Sequence, residues 1–134
     1  MKITFLTENK TQKEGVFAEH GLSIYIETMG KKILFDSGAS SLVIRNANMI
    51  GVDLTKIDFA VASHGWGSSG TGGAIKVATK EKLRQPQMKG IVRDIVSGEM
   101  WMEKKKIFID VCPQLKDFNR YVDGNKGVTV VLLK

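Results

Sequence analysis

The sequence predicts an α/β fold, a mixed β-sheet with helices packed on it. Three observations predict it. Strand-like apolar runs alternate along the chain with amphipathic, helix-like runs. Glycine and proline punctuate the joins between them. A chain of 134 residues, 43% hydrophobic, is also long enough to bury one core.

Lys2 to Glu8 reads as an opening strand. Leu22 to Thr28 and Lys31 to Asp36 read as a hairpin turning at Met29-Gly30. Ser40 to Ile50 carries Leu42, Val43, Ala47 and Ile50 near helical spacing, and Gly51 is the residue type that closes a helix in left-handed backbone. Asp53 is placed to cap the short turn Leu54-Thr55-Lys56. Ile57 to Ser63 is nearly continuous in apolar residues, the pattern of a strand covered on both faces.

A glycine-rich loop follows, and Ala74 to Arg84 reads as a helix with Ile75, Ala78 and Leu83 on one face and Pro86 beyond its end. Met88 to Ser97 fits a helix or a strand. Met100 to Glu103 with Lys106 to Asp110 reads as a hairpin, Gln114 to Val122 as a helix behind Pro113, and Gly127 to Leu133 as a last strand. Lys31-Lys32-Ile33-Leu34-Phe35-Asp36 is echoed by Lys105-Lys106-Ile107-Phe108-Ile109-Asp110, so an internal duplication is a further reading.

Composition narrows the function classes. No apolar run approaches the ~20 residues that span a bilayer, and Glu8 interrupts the opening segment too early for a secretory signal. A protein of the cytoplasm is expected, without membrane attachment. The single cysteine, Cys112, allows no internal disulfide and reads as a small apolar filler. The net charge of +6 is spread over Lys10, Lys13, Lys31-Lys32, Lys80 to Arg84 and Lys104 to Lys106, with acids between most of them. Without interleaved aromatic residues for base stacking, that pattern favours a solvated surface over a nucleic-acid partner.

The densest chemistry lies in Ser63-His64-Gly65-Trp66-Gly67-Ser68-Ser69-Gly70-Thr71-Gly72-Gly73. Gly65 to Gly70 satisfies G-x-G-x-x-G between a strand-like and a helix-like run, the arrangement that cradles a phosphate on backbone N–H groups. On that reading Gly65, Gly67, Ser68, Ser69 and Gly70 bind a phosphate or nucleotide, with Thr71 as a further donor. The acidic residue that a dinucleotide fingerprint places about 20 positions on is matched only loosely, by Asp94.

The order Glu19-His20-Gly21-Leu22-Ser23, Phe35-Asp36-Ser37-Gly38, then Ser63-His64-Gly65 resembles the N-terminal half of the metallo-β-lactamase superfamily, and looks most like its dihydropterin-synthase-like branch. The resemblance covers residues 1–73; residues 74–134 read as a divergent remainder of the same single domain. It implies a half sandwich, since family enzymes are built from two similar halves. It also implies a metal loop, H-x-H-x-D-H, in which two histidines hold one metal and an Asp-His pair a second.

Here His64 keeps the first of those positions, whereas Trp66 stands at the second histidine and Ser68 and Ser69 at the Asp-His pair. Catalytic zinc takes about three nitrogen, sulfur or carboxylate ligands, and the chain has only two histidines, His20 and His64. What remains is a vestigial set of His64, Asp36 and His20, with no catalytic residue assigned. The resemblance places Asp36 beneath the loop, ordering it, and His20 near the mouth; Trp66 has the bulk to fill the vacated metal cavity.

The expected protein is therefore a degenerate, catalytically inactive member of the fold with a binding or assembly role, carrying no cofactor. Its alternative is a metal-dependent hydrolase using zinc, iron or manganese in an atypical or partner-completed site. A homodimer is expected, because a half sandwich must cover its apolar sheet face.

Overall fold

The structure, a computed structural model, describes residues 1–63 and 74–134. Among the described residues six strands interleave with four α-helices, an α/β arrangement. The chain divides into two compact units, Met1–Ala60 and Val61–Lys134. No helix among the described residues is long and apolar enough to cross a membrane.

The first unit is built on an antiparallel meander of β1 (Lys2–Thr7), β2 (Ser23–Thr28) and β3 (Lys31–Phe35). The hairpin turns where the sequence predicts it. Met29 and Gly30 both have positive φ, 49° and 72°, the backbone of the two-residue turn whose twist matches the strands it joins. Helix α1 (Leu42–Ile50) packs against β1 and ends on Gly51 in left-handed backbone, as expected. The Asp53 carboxylate accepts the Thr55 N–H at 3.0 Å and caps the single 3-10 turn that follows. Leu6, Tyr25, Ile33, Val43, Ala47, Val52, Ile57 and Phe59 form the buried apolar set.

Asp58 closes the unit at the far end of the meander. Its carboxylate accepts the Lys31 ammonium and the Lys32 N–H, each at 2.8 Å, while its own N–H donates to the Lys32 carbonyl. Partial burial pushes the carboxyl pKa up, but the Lys31 ammonium and the Lys32 N–H outweigh it and leave the value below the usual range. Strand β4 (Phe59–Ser63) begins here and runs across the boundary between the units.

The second unit pairs β5 (Val92–Ser97) with β6 (Val128–Leu133) in antiparallel register and adds α2 (Ala74–Leu83), α3 (Trp101–Val111) and the single-turn α4 (Asn119–Val122). Five successive residues of β6, Val128 to Leu132, are buried, so both of its faces are covered. Met88 to Ser97, which fitted either state, is a short 3-10 turn and then a strand. The helix expected behind Pro113 is split into a 3-10 turn, Pro113–Lys116, and α4.

Two expectations fail in this unit. The hairpin expected between Met100 and Asp110 is α3, and with it the duplication falls, since Lys31–Phe35 is a strand and its echo is helical. Ile107, Phe108 and Ile109 mimic a strand, but the fully buried residues are Trp101, Phe108 and, beyond the helix, Leu115. Those spacings of seven are two helical turns, and Trp101 and Phe108 meet edge to face at 5.9 Å.

Of the apolar face expected on α2, Ala78 is exposed and Leu83 half-buried, while the side chain of Ile75 lies outside the described residues. Among the described residues of the helix the buried one is Lys76, whose ammonium pairs with the Glu99 carboxylate.

Candidate functional site

In the first unit, the segment between β1 and β2 meets the turn between β3 and α1, and the two quoted motifs come together there. Glu19 is the clasp. Its Oε1 accepts the Ala39 N–H at 3.0 Å and its Oε2 the Ser40 hydroxyl at 2.6 Å, while its own N–H donates to the Glu8 carbonyl at 3.1 Å. Ser40 Oγ in turn accepts the Leu42 N–H at 3.1 Å, which passes the clasp on to the first turn of α1. The Ser40 hydroxyl bond, with the backbone donors of Ala39 and Ser40 behind it, holds the Glu19 carboxyl below its ordinary pKa against a smaller opposing effect of burial.

The turn itself is held in backbone that most residues avoid. Asp36 has φ 58° and turns its Oδ1 to accept the Ser37 N–H at 2.9 Å; its carbonyl accepts the Ser23 hydroxyl at 2.9 Å. Gly38 has φ 69° and donates its N–H to the Leu22 carbonyl at 3.0 Å. A Cβ on Gly38 would collide with Glu19 Oε1 and lie 2.7 Å from Thr7 Oγ1, so the glycine is required by space as well as by backbone. Thr7 Oγ1 is buried and has no hydrogen-bond partner.

Beside this frame lies a hollow of about 340 Å³ whose wall includes Glu8, Asn9, Lys10, Gly21 and Leu22. That volume is at the small end of ligand pockets.

Of the residues singled out from sequence, Asp36 is half-buried at the turn with its Oδ1 on the Ser37 N–H, the loop it is expected to order lying outside the described residues, and His20 is exposed beside the Glu19 clasp. His64, Gly65, Trp66, Gly67, Ser68, Ser69, Gly70 and Thr71 lie outside the described residues, so both the vestigial metal position and the phosphate loop fall there. Among the described residues no group of three or more His, Cys, Asp and Glu side chains converges as a metal would require. Glu19 was missed. It stands in the quoted Glu19-His20-Gly21-Leu22 segment, but its partners are some 20 residues away and no local spacing marks them.

No family model matches the chain. It is similar to an uncharacterized protein of Methanocaldococcus jannaschii, 38% identical over 63 residues, a match covering 47% of this chain and 24% of that protein. The chain thus spans about a quarter of the length of the curated relative it matches.

Proposed function

We propose that this chain is a degenerate metallo-β-lactamase-like half fold that acts by association rather than by hydrolysis, its partner being a second copy of itself. The observation that carries the reading is one face of the β1–β2–β3 meander. Cross-strand register aligns Ile3, Ile26 and Ile33 in one row and Phe5, Ile24 and Phe35 in the next. Side chains directly opposite across a sheet point to the same face, so the two rows make one apolar surface. Its exposure rises from Ile33, 1%, to Ile3 and Phe5 on β1, 50% and 53%. Contiguous exposed apolar surface of this kind marks an interaction site, and a two-fold pairing is the commonest way for identical chains to cover it.

The non-hydrolytic half of the reading rests on sequence: Trp66, Ser68 and Ser69 stand where the resembled family has metal ligands. Its test is elemental analysis of protein purified without added metal, together with assays on phosphodiester, lactam and thioester substrates. The reading expects no stoichiometric metal and no turnover. One or two zinc, iron or manganese ions per chain would instead favour a hydrolase site completed around His64, Asp36 and His20.

A further inference from the structure

The second unit contains a hollow of about 350 Å³ where the C-terminal part of α2, the 3-10 turn after it, β5 and α3 approach one another. Its rim carries Arg84, Lys89, Arg93 and Lys104 against a single acid, Asp94. Asp94 is already engaged, since its Oδ1 accepts the Lys104 ammonium at 2.6 Å and the Ile95 N–H at 2.8 Å. Among the described residues no carboxylate pairs with Arg84, Lys89 or Arg93. Three uncompensated cations therefore face one small concavity. Leu83, Met88, Val92 and Ile95 add apolar surface to it.

Arg84 alone has an ordinary explanation. With Lys80 and Lys82 it stands at the C-terminal end of α2, where cations offset the helix dipole. Arg93 has none of that kind. It sits in β5 where the register with β6 shifts between Val92 and Asp94, and an irregularity of this type re-aims a side chain out of the regular pleat. The shift costs pairing in a strand that is otherwise regular, and the side chain it displaces is one that lines the hollow.

We propose that this hollow binds a small organic phosphate monoester, its dianion gripped by the Arg84 and Arg93 guanidinium groups with Lys89 beside them and its apolar body laid on Leu83, Met88 and Ile95. Guanidinium forks match phosphate oxygens in bidentate geometry, and a volume near the lower limit of ligand pockets suits a single ring more than a dinucleotide. The proposal is independent of the association reading.

The test is calorimetric titration of the full chain with phenyl phosphate, and separately with inorganic phosphate and benzyl alcohol, at low ionic strength. Saturable 1:1 binding of phenyl phosphate is expected, tighter than that of inorganic phosphate and absent for benzyl alcohol. Arg93→Gln and Arg84→Gln, each with unchanged circular dichroism, should weaken it by about tenfold or more, the loss of a charge-assisted hydrogen bond. Lys2→Gln, remote in sequence and outside the hollow, should leave it unchanged. No saturable binding at millimolar phenyl phosphate, or equal weakening by Lys2→Gln and Arg93→Gln, would overturn the proposal.

Discussion

Asn46 and Phe17 exchange hydrogen bonds: the Phe17 N–H donates to Asn46 Oδ1 at 3.1 Å, and Asn46 Nδ2 donates back to the Phe17 carbonyl at 2.8 Å. The same amide nitrogen donates to the Leu6 carbonyl at 2.8 Å. A fully buried side chain on α1 thus ties the segment between β1 and β2 to both the helix and the first strand. The Arg45 guanidinium stacks over the Phe17 ring at 4.2 Å and holds the same segment from outside. The same segment carries Glu19, whose Oε2 accepts the Ser40 hydroxyl.

Asn46→Ala should therefore cost about 2–4 kcal/mol, since it leaves two carbonyls and one N–H without their partner. Urea unfolding followed by tryptophan fluorescence measures it. Arg45→Ala should cost about 1 kcal/mol or less at this exposed site, so equal losses from the two variants would contradict the asymmetry.

Gly38→Ala should destabilise by about 1–3 kcal/mol from left-handed strain alone, with a further loss from collision at Glu19 and Thr7. Gly124→Ala is the control, because φ there is 70° but nothing lies within 4 Å of a Cβ. Its cost should be that backbone strain of about 1–3 kcal/mol and no more. Similar values for the two would mean that the space around Gly38 is not tightly held.

Acid should unfold the chain partly through Glu19 and Asp58. Both carboxyls are held below their ordinary values in the folded state. Each therefore contributes stability that is present above the unfolded pKa, about 4, and is lost as pH falls through the lower folded one. Tyr25 acts at the other end: burial and the hydrogen bond to Glu27 push it up to about 12. Its contribution is present below the unfolded value of about 10 and lost as pH rises through 12. Melting temperatures between pH 2 and 6 should fall less steeply for Asp58→Asn than for the parent chain; parallel curves would sink the assignment.

Trp101 is fully buried in α3 and donates its indole N–H to Asn119 Oδ1 at 2.9 Å. Trp101→Phe should cost about 1–2 kcal/mol and Trp101→Ala about 3–5 kcal/mol. Near-neutral values would mean that the second unit does not close on this residue.

The first unit was legible because its signals are local. Period-two runs, Met29-Gly30, Gly51 and Asp53 each act within a few residues, and each stands where the sequence places it. In the second unit local and distant signals conflict. Ile107 to Ile109 looks like a strand until Trp101, Phe108 and Leu115 are seen to share a core, and Lys76 looks exposed until Glu99 meets it. The site was half legible: Asp36 and Gly38 carry a motif, while Glu19, Thr7 and Asn46 act through partners tens of residues away. Arg93 leaves no sequence mark, because a shift in register shows only once β6 is paired.

Association through the open face of the meander is tested most directly by light scattering on the parent chain and on Phe5→Lys at the same high concentration. The parent should have twice the 14.8 kDa mass of one chain, and Phe5→Lys, folded by circular dichroism, should fall to 14.8 kDa. A parent chain that stays at 14.8 kDa, or a Phe5→Lys variant that dimerises as well as the parent, would contradict it.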